Sequence, residues 1–240
     1  MNKRGKVVGE FVLIVIGVFV ALTIETMMSE RHDGELGAEY LIRIEADITT
    51  DTQAFEYRIE FFTAVQQFSQ EFLDWMDSDA PVDQSFLLAA FYAAEIWPYF
   101  PGMSTYQDLQ NTGNFRLIDN IDLRTSLFQY YNKADSSRPG WNPSDGYRKT
   151  IRGVIPSGVQ AQIREACPTA DDDDLAPTGF PPCDLQGIDL EHMTALFEPL
   201  RNDVSFHNIL TYRHSELGVM LRLFRQQVLF ADKVMVHIED

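Results

Sequence analysis

Only two cysteines, Cys167 and Cys183, occur among the 240 residues, and no histidine lies between them. A structural zinc site needs four protein ligands, so this pair alone does not make one. The five histidines show none of the spacings typical of zinc proteases, di-iron carboxylate proteins or c-type haem attachment. The sequence therefore predicts no metal site and no cofactor.

The common catalytic motifs are also missing. The chain has no Gly-x-Ser-x-Gly nucleophile elbow, no Walker phosphate loop and no glycine pattern for dinucleotides. These absences favour a protein that is not an enzyme and predict no catalytic residues. A hydrolase with an unrecognised motif is the remaining enzymatic hypothesis, and it would need a polar cleft around residues 97–125.

Basic residues are few. The chain carries 19 Lys and Arg against 36 Asp and Glu, for a formal net charge of −17. A surface this acidic repels phosphate backbones, which argues against nucleic-acid binding. The acidic run from Asp171 to Asp174 lacks the alternating ligand positions of a calcium loop, so we interpret it as a solvated loop.

One long hydrophobic run is present, from Val7 to Met28. As a helix it would span roughly 33 Å, enough to cross a bilayer. Two acids, Glu10 and Glu25, lie near its ends, where a carboxylate costs much less than at the bilayer centre. We predict a single transmembrane anchor at residues 7–28, with the lipid bilayer as one partner of the chain.

The charges around this run predict its orientation. Three basic residues precede it, and acidic residues follow it closely: Lys3, Arg4 and Lys6, then Glu30, Asp33 and Glu35. The positive-inside rule places residues 1–6 in the cytoplasm and residues 29–240 outside it. A cleavable signal peptide is the competing interpretation, but Ala21-Leu22-Thr23 is a poor cleavage site.

The anchor also offers contacts for another membrane helix. Gly17 and Ala21 form a small-xxx-small pair that lets a second helix approach closely. Glu10 and Glu25 could face a neighbouring subunit instead of headgroups and water. We predict these four residues as possible contacts to a membrane partner.

Beyond the anchor, apolar residues recur every three or four positions, and no strand alternation occurs. The prediction is an all-α fold, with one transmembrane helix and an extracytoplasmic helical bundle over residues 29–240. Gly34 and Gly37 predict a break or a bend near the membrane surface, and Asp51 and Thr52 predict a cap that opens a second helix. Ser104 and Gly113 predict the N-cap and the closing glycine of a short helix.

Three further expectations concern the second half of the chain. Prolines and glycines predict a surface loop carrying Trp141. Gly153, Pro156 and Gly158 should kink or split a helix over residues 147–166. The last helix should begin near His214 or Ser215, with a seam that alternates steps of four and three: Leu217, Leu221, Phe224, Val228, Ala231, Met235 and Ile238.

Outside the cytoplasm, Cys167 and Cys183 should form a disulfide that closes the acidic loop of residues 167–183.

Two passages carry a family resemblance. The first contains Gly9-Glu10-Phe11-Val12-Leu13-Ile14-Val15-Ile16-Gly17-Val18, then Val20-Ala21-Leu22 and Ser29-Glu30-Arg31. The second contains Ser104-Thr105-Tyr106, Leu109, Thr112-Gly113, Phe115, Leu117-Ile118, Asn120, Leu123-Arg124, Leu127 and Tyr130-Tyr131. Together they resemble the uncharacterised bacterial membrane-anchored family known as domain of unknown function 6090, over residues 3–50 and 104–131.

This resemblance implies a short anchor in the bacterial inner membrane followed by a helical periplasmic domain. It brings no activity, cofactor or catalytic residue. In its second passage we interpret Ser104, Tyr106, Gly113, Asn120 and Arg124 as a structural motif, in which Asn120 and Arg124 could join helices through a polar network.

Three functional hypotheses follow. The first is an accessory or scaffolding subunit of a larger membrane complex, with other integral-membrane or envelope proteins as partners. The second is an extracytoplasmic ligand-binding or sensor domain with an aromatic-lined pocket. The third is the unrecognised hydrolase.

Overall fold

A computed structural model describes residues 3–141, 146–167, 180 and 183–239. Within these ranges the chain is helical and has no strand, which confirms the all-α prediction. A short 3-10 helix, Asn114–Leu117, lies between the third and fourth α-helices. The α-helices are α1 Lys3–Met76, α2 Gln84–Tyr92, α3 Ser104–Thr112, α4 Ile121–Trp141, α5 Gly146–Val154, α6 Ser157–Ala166, α7 Leu190–Arg201 and α8 Val204–Glu239.

Helix α1 is a single uninterrupted helix of 74 residues, about 111 Å long. The predicted break at Gly34 or Gly37 and the predicted cap at Asp51 are therefore wrong. Each glycine costs a helix about 1 kcal/mol, but burial of one α1 face against the bundle outweighs that cost. On that face Ile44 and Ile48 are fully buried, and Asp51 points into the core as well.

The apolar section of α1 is exposed over residues 9–32. None of the most hydrophobic 18-residue window, with a mean hydropathy of 2.4, is buried against the rest of the chain. By length and composition α1 is therefore able to cross a membrane.

The part of the chain that follows the apolar section of α1 is organised around α1, α4 and α8. Helix α8 runs back along α1, because Ile238 lies beside Gly34 and Gly37 while Leu217 packs in the same cluster as Phe62. Helix α4 lies against both, with Leu127 fully buried between them. Helices α2, α5, α6 and α7 surround the end of α1 that lies farthest from the apolar section.

Helix α8 is ten residues longer than predicted, since it begins at Val204 instead of near His214. The Asp203 carboxylate accepts hydrogen bonds from the Ser205 and Phe206 amides and thereby caps the helix. The predicted seam is correct: its members are buried or half-buried.

The region around Trp141 differs from the prediction. Helix α4 continues through Pro139, and Trp141 is buried rather than carried on a surface loop. Its ring packs against Phe55 of α1 and Phe224 of α8, with centroid distances of 5.3 and 5.7 Å. The predicted split before Pro156 is confirmed, with α5 on one side and α6 on the other.

Candidate functional site

The main buried polar cluster lies where the connector between α2 and α3, residues 93–103, crosses the middle of α1. Its centre is Asp51, which is 2% exposed. The Asp51 carboxylate accepts hydrogen bonds from the hydroxyls of Tyr99, at 2.5 Å, and Tyr130, at 2.7 Å. The Gly102 amide is a third donor, at 3.4 Å. One side chain of α1 therefore holds both the connector and α4.

A second α1 residue, Arg58, lies seven positions further on the same face and is also buried. Its guanidinium carbon lies 3.8 Å from the ring centroid of Trp97 and 4.4 Å from that of Tyr99. These are cation–π distances. Arg58 also donates to the Ala54 carbonyl oxygen at 2.8 Å.

Burial dominates the electrostatics of this cluster. It raises the pKa of the Asp51 carboxyl, although the hydrogen bonds from Tyr99 and Tyr130 act in the opposite direction. Burial and the Asp51 charge both raise the pKa of Tyr130. Burial also lowers the pKa of Arg58 to about 10.

The geometry suits a structural clamp better than a reaction centre. Asp51 and Tyr130 have almost no contact with solvent, so a dissolved substrate would not reach them. The Asp47 Oδ2 atom and the Tyr131 hydroxyl are also buried, and the described residues supply no hydrogen-bond partner for either. No sequence pattern pointed to this cluster, because Asp51 and Tyr130 are 79 residues apart.

Three arginines bind the chain where α2 ends. Arg213, on α8, donates to the carbonyl oxygens of Ala93 at 3.1 Å and Glu95 at 2.7 Å. Arg148 donates to the Ala94 carbonyl oxygen at 2.6 Å, and Arg152 pairs with the Glu95 carboxylate. Cations at a helix C-terminus satisfy its last carbonyl groups and favour its dipole. The role of these three arginines is therefore to stabilise the fold.

A serine–histidine contact also occurs. The Ser69 Oγ atom lies 2.8 Å from the His214 Nδ1 atom, a distance suited to an activated nucleophile. However, Ser69 has no exposed surface, and its hydroxyl lies 2.6 Å from the Gln66 carbonyl oxygen, to which it donates. The pair joins α1 to α8 and does not present a nucleophile.

The predicted membrane contacts all lie on the exposed apolar section of α1. At about 100° per residue, Gly17 is about 180° and Ala21 about 140° around the helix from the buried Ile44. Glu10 lies on the same outer side, and Glu25 lies about 100° from Ile44. Gly17, Ala21 and Glu10 thus lie on the side of α1 opposite Ile44, and Glu25 lies at the edge of that side.

Two residues of the predicted structural motif lie at helix ends. Gly113 closes α3 in the left-handed conformation, at φ 72°. Asn120 caps α4 by accepting from the Asp122 and Leu123 amides, and its side-chain amide donates to the His237 carbonyl oxygen on α8. The predicted link between helices is therefore present at Asn120.

The other three members of the motif are Ser104, Tyr106 and Arg124. Ser104 is not the N-cap: Met103 occupies that position, and its side chain makes no capping bond. Tyr106 stacks on Tyr131 at a centroid distance of 4.2 Å. The Arg124 Nε atom is buried, and the described residues supply no hydrogen-bond partner for it.

The predicted disulfide is confirmed, since Cys167 and Cys183 are bonded with their Cα atoms 5.5 Å apart. The acidic run from Asp171 to Asp174 lies outside the described residues. Among the residues that are described, no three His, Cys, Asp or Glu side chains are grouped to hold a metal ion.

Comparison with known proteins gives no relative: no family model, no curated protein and no solved structure matches this chain. The resemblance to the domain of unknown function 6090 family stays a prediction.

Proposed function

We propose that this chain is a non-enzymatic single-pass membrane protein and an accessory or scaffolding subunit of a larger complex in the bacterial inner membrane. In this proposal the bulk of the chain is periplasmic, and the anchor and the helical domain both contact partner subunits. The observation that carries it is the form of α1, whose apolar section is wholly exposed and whose continuation is the central helix of the bundle.

The polar clusters support a non-enzymatic role. Asp51, Arg213 and Ser69 are each buried and each satisfy hydrogen bonds between helices. Asn120 and Tyr106, in the region where a hydrolase would need a polar cleft, are used for capping and stacking. None of these residues is therefore available as a nucleophile for the hydrolase hypothesis.

The sensor hypothesis has less support. Rings in the described core pack on one another: Phe72, for example, lies 4.9 Å from Phe86 and 5.5 Å from Phe206 between centroids. Such packing fills the interior with aromatic contacts. An aromatic-lined ligand pocket therefore stays a prediction.

Co-purification tests the proposal. The full chain, isolated from its native membrane in mild detergent, should bring down other membrane subunits in constant ratio. Gly17→Ile with Ala21→Ile should weaken that recovery, because the larger side chains prevent close helix approach. Val18→Ile with Leu22→Ile serves as the control, since it alters neighbouring positions without filling the notch. Recovery of the wild-type chain alone would refute the proposal.

A further inference from the structure

Two exposed surfaces of the extramembrane bundle combine apolar side chains with charges of opposite sign. The first, the α1 outer face, is formed by Glu39, Ile42 and Glu45 on the side of α1 opposite the core. Ile42 is 67% exposed, and the two glutamates flank it at three residues on either side. This face presents one large apolar side chain between two negative charges.

The second surface, the α8 groove, lies along the outer side of α8 and reaches Lys133 of α4. It encloses about 840 Å³, and its floor includes Leu229, Phe230 and Val236. Leu229 and Val236 are 60% and 56% exposed. Lys133, Lys233 and one acid, Asp232, line its edges. This groove presents an apolar floor between two positive charges.

The same contrast holds over whole helices. Residues 29–76 of α1 carry 11 acidic and three basic side chains, whereas α4 and α8 together carry five acidic and seven basic ones. Opposite potentials on two surfaces guide association and favour one register over others. In the α8 groove itself, Lys133 and Lys233 against Asp232 leave a net charge of +1 (two positive charges minus one negative), in a chain whose net charge is −17.

The two surfaces also lie at the same level along the axis of α1. Ile238 of α8 lies beside Gly37 of α1, and Gln227 of α8 donates to the carbonyl oxygen of Tyr130, whose hydroxyl binds Asp51 of α1. Residues 227–238 of α8 thus run beside residues 37–51 of α1. Copies anchored in one membrane through α1 would present Ile42 and the α8 groove at equal height.

From this complementarity we infer that the α8 groove binds the α1 outer face of a second copy of this chain. The two surfaces are different, so the contact is heterologous and generates a ring or a row of copies, not a two-fold dimer. A symmetric contact between two α1 outer faces would bring glutamates of both copies together, which charge repulsion disfavours. The equal height of the two surfaces depends on the proposed membrane insertion, whereas their opposite charges do not.

Cysteine cross-linking of the full chain in membranes tests the arrangement. Cys167 and Cys183 are already paired, so introduced cysteines are the reactive ones. Copies with Ile42→Cys and copies with Val236→Cys, carrying different tags, should form a mixed disulfide dimer on mild oxidation. Ile42→Cys with Val219→Cys is the matched control, because Val219 is 50% exposed on the same helix but lies outside the α8 groove.

The inference predicts a mixed dimer from the first pair and none from the control pair. Dimers formed by Ile42→Cys alone, or equal cross-linking of both pairs, would overturn it. This result is separate from the co-purification test, which concerns other proteins.

Charge reversal gives a second test that does not depend on introduced cysteines. Glu39→Lys with Glu45→Lys should abolish self-association in lipid nanodiscs, and so should Lys133→Glu with Lys233→Glu. The four changes in one chain should restore it, since the signs are again opposite. Thermal unfolding of each variant checks that it folds. Self-association that is unchanged in both double variants would overturn the inference.

Discussion

The Asp51 carboxylate of α1 accepts a 2.7 Å hydrogen bond from the Tyr130 hydroxyl of α4, and both side chains are almost wholly buried. Apolar helix faces tolerate small shifts along their length, whereas a buried carboxylate and its donor do not. This contact, with the one from Tyr99, fixes the relative positions of α1, α4 and the connector between α2 and α3.

Tyr130→Phe should destabilise the protein by about 1–3 kcal/mol, because it removes a donor from a buried carboxylate. Urea unfolding of the full chain in detergent, followed by tryptophan fluorescence, would measure the change. Tyr57→Phe is the control, since Tyr57 is 42% exposed on α1, and it should change stability by less than about 0.5 kcal/mol. Equal effects of the two substitutions would contradict the assignment of the buried bond.

The raised pKa of Asp51 predicts a pH dependence of stability. The folded protein holds this proton more tightly than the unfolded chain, so the group's contribution is complete below its ordinary pKa of 3.8. That contribution is lost as the pH rises through the raised value.

Asp51→Asn removes the titrating group. As the pH rises from about 4 to about 7, the Tm of Asp51→Asn should therefore increase relative to the Tm of the wild type. Thermal unfolding at several pH values tests this expectation. A difference that stays constant, or moves toward the wild type, would show that the pKa of Asp51 is not raised.

Two glycines of α1 offer an internal comparison. A Cβ atom at Gly37 would lie 2.9 Å from the backbone oxygen of Leu117, whereas one at Gly34 would meet nothing within 4 Å. Gly37→Ala should destabilise by about 1–3 kcal/mol through this clash. Gly34→Ala should stabilise by about 0.5–1 kcal/mol, since alanine favours the helix. Stabilisation by both substitutions, measured by thermal unfolding, would show that Gly37 is not closely packed.

The buried Arg213 predicts a large effect of neutral replacement. Arg213→Met should destabilise by about 3 kcal/mol or more, because the carbonyl oxygens of Ala93 and Glu95 lose a charged donor. Arg222→Met is the control on the exposed side of α8 and should stay within about 0.5 kcal/mol of wild type. A loss of stability of similar size in both variants would indicate that removing any positive charge has this effect.

The predictions from sequence succeeded where local chemistry decides the structure. Pro156 separates two helices, Gly113 adopts the left-handed conformation that glycine favours, and two cysteines form the only possible disulfide of the chain. Periodicity also predicted the buried side of α8, because apolar spacing records which face meets a core.

The predictions failed where distant parts of the chain decide. From sequence alone, Gly37 suggests a break in the helix. In the structure the helix is continuous there, and the close approach of Leu117 explains why a residue without a side chain occupies this position. Asp51 suggests a cap, yet Tyr130 supplies a donor from 79 residues away. Trp141 follows a proline and a glycine that suggest a loop, yet stacking on Phe224 keeps it in the core. None of these partners can be identified from sequence spacing.

The continuity of α1 has a mechanical consequence. A flexible hinge would let a membrane segment turn or tilt without moving the domain above it, but one 74-residue helix works as a lever. Because the helix is continuous, rotation of Gly17 about its axis would rotate Ile42 by the same angle, and the two residues lie within about 20° of each other around that axis. In the proposed membrane protein, torque applied in the bilayer would thus be delivered directly to the outer face of the domain.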